Sequence, residues 1–209
     1  TVFLLHPHQD RILAGESEIH LVPDGVPARR AVLTANMETA LNVLWDSGVS
    51  AGDRVLIVGG GVLGLLVASL ISAIPGTTTT LVDIDPSRGP VAARLGAAFA
   101  LPGAAPQDQD AVIHTSATED GLRLALKCAG FEGRIIEASW YGDRAVSLPL
   151  GEAFHARRLA LISSQVGEIP PARRPRWSYR RRLGTALSLL HNAALDALIT
   201  NEIAFAEAP

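Results

Sequence analysis

Hydrophobic positions in the middle of the chain fall into short strand-like runs that are separated by segments with helical spacing. The runs occupy residues 55–58, 77–83, 98–101, 110–115, 134–139 and 159–163. Between them, apolar residues recur at intervals of three and four, which is typical of helices that pack through one face. This regular alternation of strands and helices predicts an α/β fold with a parallel, doubly wound sheet and right-handed crossovers.

The two ends of the chain have a different pattern. Residues 1–27 are strand-like and punctuated by proline, and residues 23–25, Pro-Asp-Gly, are a clear turn signal. Helical spacing returns over residues 29–47 and again over residues 177–191. We therefore expect the central sheet to be flanked by a strand-rich start and a closing helix.

The first strand-like run leads directly into a glycine-rich turn. Residues 59–64 read Gly-Gly-Gly-Val-Leu-Gly and fit the pattern G-x-G-x-x-G, and helical spacing follows as far as Ile74. The second run ends at Asp83, nineteen positions after Gly64. An acid roughly 20 residues beyond such a motif binds a ribose hydroxyl in dinucleotide-binding proteins. Together, these features predict a Rossmann sheet with the strand order 3-2-1-4-5-6.

Each motif position has a physical task in this interpretation. Gly59 would permit the tight turn out of the strand, and Gly61 would let the backbone approach a pyrophosphate without a Cβ. Gly64 would allow the helix to pack closely on the sheet. The N–H groups of Val62 and Leu63 would point at the phosphates, assisted by the positive end of the helix dipole.

The residues that follow the strands refine the choice of cofactor. Asp83 can accept hydrogen bonds from both ribose hydroxyls of NAD and would repel the 2′-phosphate of NADP, so we expect NAD. Arg88 would pack on or bond to the adenosine. Cofactors lie at the carboxyl edge of such a sheet. For this reason Ser116, Ser139 and Trp140, which follow or end predicted strands, are further candidate cofactor-binding residues.

Ser116 also has a possible role in the local structure. With Glu119 it has the spacing of a capping box, which predicts that it opens a helix that ends near Gly130.

Composition and charge exclude several classes of function. The stretch 55–74 carries no charge and could be a membrane span, but three consecutive glycines divide it into two short elements. The net charge of −3 means that the protein has no overall positive electrostatic field that would attract nucleic acid or an anionic membrane. A single cysteine, Cys128, rules out an internal disulfide and a cysteine-built zinc site. The first residues do not have the pattern of a signal peptide, so we expect a cytoplasmic protein.

Further segments extend this interpretation beyond the glycine motif. They occupy residues 22–26, 38–41, 51–55, 82–83, 94–97, 133–135 and 195–200. In this order, and with the glycine motif, they resemble the medium-chain dehydrogenase/reductase family, the zinc-type alcohol dehydrogenase relatives. The resemblance covers nearly the whole chain. It implies an NAD(H)-dependent oxidoreductase that transfers a hydride between nicotinamide and an alcohol or carbonyl substrate, with the redox chemistry supplied by the cofactor.

The same resemblance divides the chain into three segments. Residues 36–164 would form the NAD-binding domain, and residues 1–35 and 165–209 would be remnants of a GroES-like catalytic domain. A β-rich half that usually supplies zinc ligands would precede them. The family's third zinc ligand falls on Ala35, four residues before Thr39, and alanine cannot bind metal. The resemblance thus implies an oxidoreductase without catalytic zinc in this chain, or alternatively a non-catalytic NAD(H)-binding fragment, and it indicates no catalytic residue.

Two surface features bear on partners. The run at 159–163 would be the edge strand of the sheet, and its unpaired ladder invites pairing. Because the family's dimers pair these strands across a two-fold axis, the resemblance implies a homodimer.

The basic segment 173–182 has interleaved aromatic residues and could bind single-stranded nucleic acid. The negative net charge favours instead a solvated loop and helix start anchored by Trp177 and Leu183.

Four histidines and one glutamate are further candidates for chemistry. Glu38 lies near the zinc position but out of register. His6 and His8 would share one side of a strand, but a third ligand with recognisable spacing is missing, which favours a surface role. His114 ends a predicted strand and is expected to be a buried, hydrogen-bonded histidine. His155 could transfer a proton near the nicotinamide end of the cleft.

Overall fold

The computed structural model describes residues 1–207 and contains eight strands and six α-helices within them. The strands are β1 Val2–Phe3, β2 His20–Leu21, β3 Arg54–Val58, β4 Thr78–Val82, β5 Ala98–Ala100, β6 Gln109–His114, β7 Ala129–Glu137 and β8 Ala160–Ser163. The helices are α1 Ala28–Ala31, α2 Thr34–Ser47, α3 Val62–Ser72, α4 Arg88–Arg94, α5 Glu119–Cys128 and α6 Tyr179–Leu189. Short turns of 3₁₀ or π type cover Glu16–Glu18, Pro102–Ala104, Leu150–Phe154, Ala193–Leu198 and Phe205–Glu207. Ala208 and Pro209, the end of the predicted segment 165–209, lie outside the described residues.

Six of the strands form one parallel sheet, which confirms the predicted α/β, doubly wound fold. Its spatial order is β5-β4-β3-β6-β7-β8, and every neighbouring pair runs parallel. Counted along the chain within this sheet, the order is 3-2-1-4-5-6. The direction of winding reverses between β3 and β6, and a crevice opens at the carboxyl ends of strands at such a reversal.

Both faces of the sheet are covered. On β3, Val55 and Ile57 belong to one apolar cluster, and Leu56 and Val58 belong to another. Because successive side chains of a strand point to opposite faces, the two clusters lie on opposite sides of the sheet. The first includes buried residues of α2, α3, α4 and α6, and the second those of α5. The continuous apolar run of β3 is therefore a consequence of burial on both faces.

The uncharged stretch 55–74 is divided as predicted. It contains most of β3, then the glycine turn, and then α3, which has 11 residues. Among the helices of the described residues, each is too short or too polar to cross a bilayer.

Two predictions for the start of the chain are wrong. Residues 1–27 are not strand-rich, because they contain just β1 and β2, an antiparallel pair with two residues in each strand. The helix predicted over residues 29–47 is divided into α1 and α2. Leu33 at the break is 7% exposed, and Leu41 within α2 is 5% exposed. The apolar spacing continues across the break, so periodicity alone did not reveal it.

The cap predicted for α5 is also wrong. Thr118, not Ser116, is the N-cap residue, and its Oγ1 accepts a hydrogen bond from the Gly121 N–H at 3.1 Å. The hydroxyl of Ser116 lies 2.7 Å from His114 Nε2 instead. The helix ends at Cys128, and β7 begins at the next residue.

The closing helix α6 is fixed to α2 by buried polar contacts. Arg182 lies 2.9 Å from Glu38 Oε1 and 2.7 Å from Asn42 Oδ1, and it donates to the Val166 carbonyl at 2.6 Å. Both charged side chains are almost completely buried, with 3% of Arg182 and 9% of Glu38 exposed. A second pair joins Arg30 and Asp196 at 2.7 Å. These bonds attach the C-terminal segment to the start of the chain.

Candidate functional site

A cavity of about 800 Å³ opens at the carboxyl ends of the central strands. It lies where the order of the sheet reverses, which is the usual ligand position in open α/β sheets. Its walls come from the glycine turn, the end of β4, one side of α5 and the chain near residue 150. The lining residues are Val58, Gly59, Gly61, Val82, Asp83, Ile84, Arg88, Pro102, Thr115, Ser116, Thr118, Asp120, Gly121, Arg123, Leu124, Lys127, Pro149 and Glu152.

The glycine turn has a closed side and an open side. Gly59 has a φ of +113°, and a Cβ there would come within 2.7 Å of Thr115 Oγ1. At Gly64 a Cβ would overlap the carbonyl oxygen of Gly59, so the strand and helix can approach only without a side chain. Gly61 differs, because its φ of −70° is accessible to any residue and a Cβ would meet no atom within 4 Å. Gly61 therefore leaves space for a ligand, whereas Gly64 allows packing.

Helix α3 begins at this open side. The Leu65 N–H donates to the Gly61 carbonyl at 3.0 Å. The N–H groups of Val62 and Leu63 precede that bond and lie in the first turn of the helix. The positive end of a helix dipole attracts anions, and its first N–H groups can donate to them. The turn and the helix start together form a cradle suited to phosphate.

Asp83 lies beside the cradle in a fixed orientation. Its Oδ2 accepts from the Gly60 N–H at 2.6 Å, and its Oδ1 accepts from the Asp85 N–H at 2.8 Å. A carboxylate has about four lone-pair positions, so capacity for ligand hydroxyls is left. Arg88 also lines the cavity, and its Nε lies 3.3 Å from Asp85 Oδ2.

The later candidates are placed differently. Ser116 lines the cavity. Ser139 and Trp140 are not among the lining residues of the described cavity. The Ser139 hydroxyl accepts from the Ala117 N–H at 3.1 Å, and Trp140 is 83% exposed. A cofactor role for these two residues stays a prediction.

Sequence reasoning missed one wall of the cavity. The residues of α5 and of the chain near residue 150 that line it are Asp120, Gly121, Arg123, Leu124, Lys127, Pro149 and Glu152. Periodicity gave the apolar face of α5 but not which polar residues turn towards the strand ends. Gly121 is a signal that could have been used, because glycine inside a helix is costly unless close packing requires it.

A buried polar cluster lies beneath this wall. His114 is 0% exposed, and its Nδ1 lies 2.8 Å from Glu137 Oε2. Burial alone would raise the pKa of the Glu137 carboxyl, but hydrogen bonds from His114 and Ser139 outweigh it and hold this pKa below its usual range. Burial and the Glu137 charge raise the pKa of Tyr141 to about 12. His114 is thus the buried, hydrogen-bonded histidine that we predicted.

Within the part of the chain that the structure describes, the side chains that could bind a metal are not brought together. Among residues 1–207, three His, Cys, Asp or Glu side chains do not come close enough together to hold an ion. Ala35 lies in the first turn of α2, and Glu38 is bonded to Arg182. His6 and His8 are exposed, as is His155.

The basic segment 173–182 makes contacts within the protein. Arg180 donates to the Ser17 carbonyl at 2.8 Å, and Arg181 lies 3.9 Å above the Trp177 ring. Trp177 in turn contacts Trp45, with the ring centroids 4.6 Å apart. The prediction that Trp177 anchors this segment is confirmed. The prediction that the segment is solvated is wrong for Arg182, whose buried contacts link α6 to α2.

Comparison with known proteins finds relatives that are named as dehydrogenases or as dehydrogenase-like proteins. No protein-family model matches the chain. It is similar to D-guloside 3-dehydrogenase of Escherichia coli (strain K12), with 27% identity over 206 residues that cover 92% of this chain and 59% of the relative. It is also similar to an uncharacterized zinc-type alcohol dehydrogenase-like protein of the same organism, with 28% identity over 151 residues that cover 69% of this chain and 41% of the relative.

A solved structure extends the comparison to the fold. Acetophenone reductase from Geotrichum candidum NBRC 4597, in complex with NAD, superimposes with a TM-score of 0.70 and 20% identity, covering 86% of this chain and 50% of that chain. The predicted resemblance to zinc-type alcohol dehydrogenases is confirmed by these proteins. The chain spans 59% of the length of the D-guloside dehydrogenase.

Proposed function

We propose that this chain is the cofactor-binding part of an NAD(H)-dependent oxidoreductase that acts on an alcohol or carbonyl substrate. The observation that carries the proposal is the cradle at the sheet reversal, where Gly61, the N-cap residue of α3, and Asp83 line one cavity and a Cβ at Gly61 would meet no atom within 4 Å. The relatives named as dehydrogenases support it. A non-catalytic NAD(H)-binding fragment is the alternative, since this chain spans 59% of the first relative.

The residues present fit a dinucleotide. Gly59 and Gly64 would shape the turn, and Gly61 with the N–H groups of Val62 and Leu63 would receive the pyrophosphate. Asp83 would accept the ribose hydroxyls, and Arg88 and Ser116 would line the adenosine and ribose positions. Ser139 and Trp140 are proposed to contact the cofactor outside the described cavity. When bound, NAD would supply the hydride chemistry.

The residues present do not fit a catalytic zinc. Alanine occupies the expected ligand position at residue 35, and Glu38 is held by Arg182 at 2.9 Å. We therefore assign this chain the tasks of binding and orienting the dinucleotide, without a metal-dependent step. We further propose that residues 36–164 are the cofactor domain and that residues 1–35 and 165–209 belong to a split, GroES-like catalytic domain. A cytoplasmic location is proposed from the single cysteine and the mixed charge of the chain.

A test of the cofactor assignment is replacement of the ribose-binding acid. Asp83→Ala is expected to narrow the preference for NADH over NADPH, because the carboxylate that repels a 2′-phosphate is removed. Removing a charged hydrogen-bond partner is worth about 1.5–3 kcal/mol, which corresponds to roughly 10- to 150-fold in the ratio of dissociation constants. The measurement is fluorescence titration of wild type and variant with both reduced cofactors.

The matched control is Asp143→Ala, which removes an exposed acid that is not among the lining residues of the described cavity. It should leave the ratio of the dissociation constants of NADH and NADPH unchanged. An Asp83→Ala variant with the same ratio as wild type would refute the ribose role of Asp83.

We also propose a homodimer through β8. This strand is at the edge of the sheet, and Ala160 and Leu161 are exposed, so its outer ladder is open to a second copy. Leu161→Lys is expected to weaken the dimer, because a two-fold axis brings like charges together. Sedimentation velocity measures both proteins, and a wild-type chain that stays monomeric as its concentration rises would contradict the proposal.

A further inference from the structure

The ends of β6 and β7 carry a hydrogen-bonded chain of side chains that reaches the cavity. His114 and Glu137 are the last residues of these strands and are direct partners in the parallel register. The two Glu137 oxygens lie 2.8 and 3.0 Å from His114 Nδ1. On the opposite side of the ring, His114 Nε2 lies 2.7 Å from the hydroxyl of Ser116, which lines the cavity. The chain thus links a half-buried carboxylate to the cavity wall.

The surroundings of Glu137 determine which ring nitrogen carries the proton. The Ser139 N–H donates to Glu137 Oε1 at 2.8 Å, and the Tyr141 hydroxyl donates to Oε2 at 3.3 Å. These donors favour an ionised carboxylate, which can only accept hydrogen bonds. His114 Nδ1 must therefore donate. In a neutral ring the other nitrogen, Nε2, is then an acceptor.

This arrangement fixes the polarity of Ser116. With Nε2 of His114 unprotonated, the hydroxyl of Ser116 donates its hydrogen to that nitrogen across the 2.7 Å contact. Thr118 Oγ1 lies 2.9 Å from Ser116 Oγ. Because the one hydroxyl hydrogen of Ser116 is used on His114, Thr118 is the donor in this contact. A hydroxyl has one donor and two lone pairs. With the donor and one lone pair used, Ser116 presents a single lone pair to the cavity.

Gly121 makes the close approach possible. A Cβ at this position would overlap Ser116 Oγ and would lie 2.8 Å from His114 Nε2. The helix α5 can therefore cover the Ser116–His114 bond only because residue 121 has no side chain.

We propose that His114 and Glu137 are positioning residues that hold Ser116 as a hydrogen-bond acceptor on the cavity wall, where it binds a hydroxyl group of the ligand. The inference rests on the proposed function, in which that hydroxyl belongs to a ribose of the dinucleotide. Glu137 does not line the cavity, so it acts on the ligand through His114 and Ser116.

The first test reads the state of the ring without a ligand. ¹⁵N NMR of histidine-labelled wild-type protein is expected to show His114 with the proton on Nδ1 and with Nε2 unprotonated. His114→Gln identifies the signal among the six histidines. A ring protonated on Nε2, alone or together with Nδ1, would overturn the proposal, because Ser116 would then be free to donate into the cavity.

The second test measures the effect on NADH. Ser116→Ala removes the acceptor and Glu137→Leu removes the group that orients the ring, so each is expected to raise the dissociation constant of NADH by roughly 3- to 10-fold. Because Glu137 acts through Ser116, the variant that carries both substitutions should have a dissociation constant for NADH no higher than the higher of the two single-variant values. The proposal would be contradicted if the fold-increases of the two single variants multiply in the double variant. It would also be contradicted if Glu137→Leu binds NADH with wild-type affinity.

The two tests separate this inference from the proposed function. If wild type does not bind NADH, the proposed function fails, and the NMR result still decides the state of His114. If wild type binds NADH and Glu137→Leu binds equally well, the inference alone fails. Should Glu137→Leu not fold, the ring state in wild type and the Ser116→Ala affinity together decide the outcome.

Discussion

Arg182→Ala is expected to lower the free energy of unfolding by about 3–5 kcal/mol, because it leaves the buried carboxylate of Glu38 without its partner. Glu38 is 9% exposed and accepts from Arg182 at 2.9 Å. Asn42 and the Val166 carbonyl would lose donors in the same change. Urea denaturation followed by circular dichroism measures the difference.

Two further variants show whether the effect arises from the buried charge. Arg176→Ala removes an exposed arginine from the same basic segment, and it should change the stability by less than about 0.5 kcal/mol. The double variant Glu38→Leu with Arg182→Met should recover most of the loss, because well-packed apolar side chains can replace a buried ion pair. Equal stability of Arg182→Ala and Arg176→Ala would show that the Arg182–Glu38 pair does not hold α6 to α2.

Gly61→Val is expected to weaken NADH binding by at least roughly 10-fold while leaving the fold intact, because overlap with a ligand costs about 1–3 kcal/mol or more. A valine fits the φ of −70° at this position, and its Cβ would meet no protein atom within 4 Å. The side chain would instead occupy the space proposed for the pyrophosphate. NADH fluorescence titration gives the affinity, and thermal unfolding shows that the protein remains folded.

The control for this variant is the same substitution at Gly184. That glycine lies within α6, and a Cβ there would likewise meet no atom within 4 Å. Gly184→Val should bind NADH as wild type does. Gly64→Ala is the opposite case, since its Cβ overlaps the Gly59 carbonyl, and it should lose about 1–3 kcal/mol of stability. If Gly61→Val binds NADH with wild-type affinity, the ligand does not pass over this turn.

The central sheet and its glycine turn could be predicted because their signals are local. Each strand from β3 to β8 contains a short apolar stretch, and Gly59, Gly61 and Gly64 have the fixed spacing of the motif. The position of Asp83 followed from the same spacing, and the structure brings it beside Gly60 at 2.6 Å. Such features depend on residues that are close together in the chain, so they can be recognised in a single sequence.

The rest depends on contacts between residues that are far apart in the chain. Arg182 belongs to a basic segment typical of a solvated surface, but its partner Glu38 is 144 positions away. The link from Ser116 through His114 to Glu137 likewise needs the register of two strands. Ser116 has the spacing of an N-cap residue, but its hydroxyl contacts His114, and Thr118 caps helix α5 instead. Periodicity and spacing do not encode these pairings.

The claim that this chain binds a dinucleotide is tested most directly by titrating the wild-type protein with NADH. Fluorescence of the reduced cofactor should rise and shift to the blue, and it should saturate at one molecule per chain. The same titration of Gly61→Val should give little signal. A linear, unsaturated response of wild type, equal to that of Gly61→Val, would contradict the account.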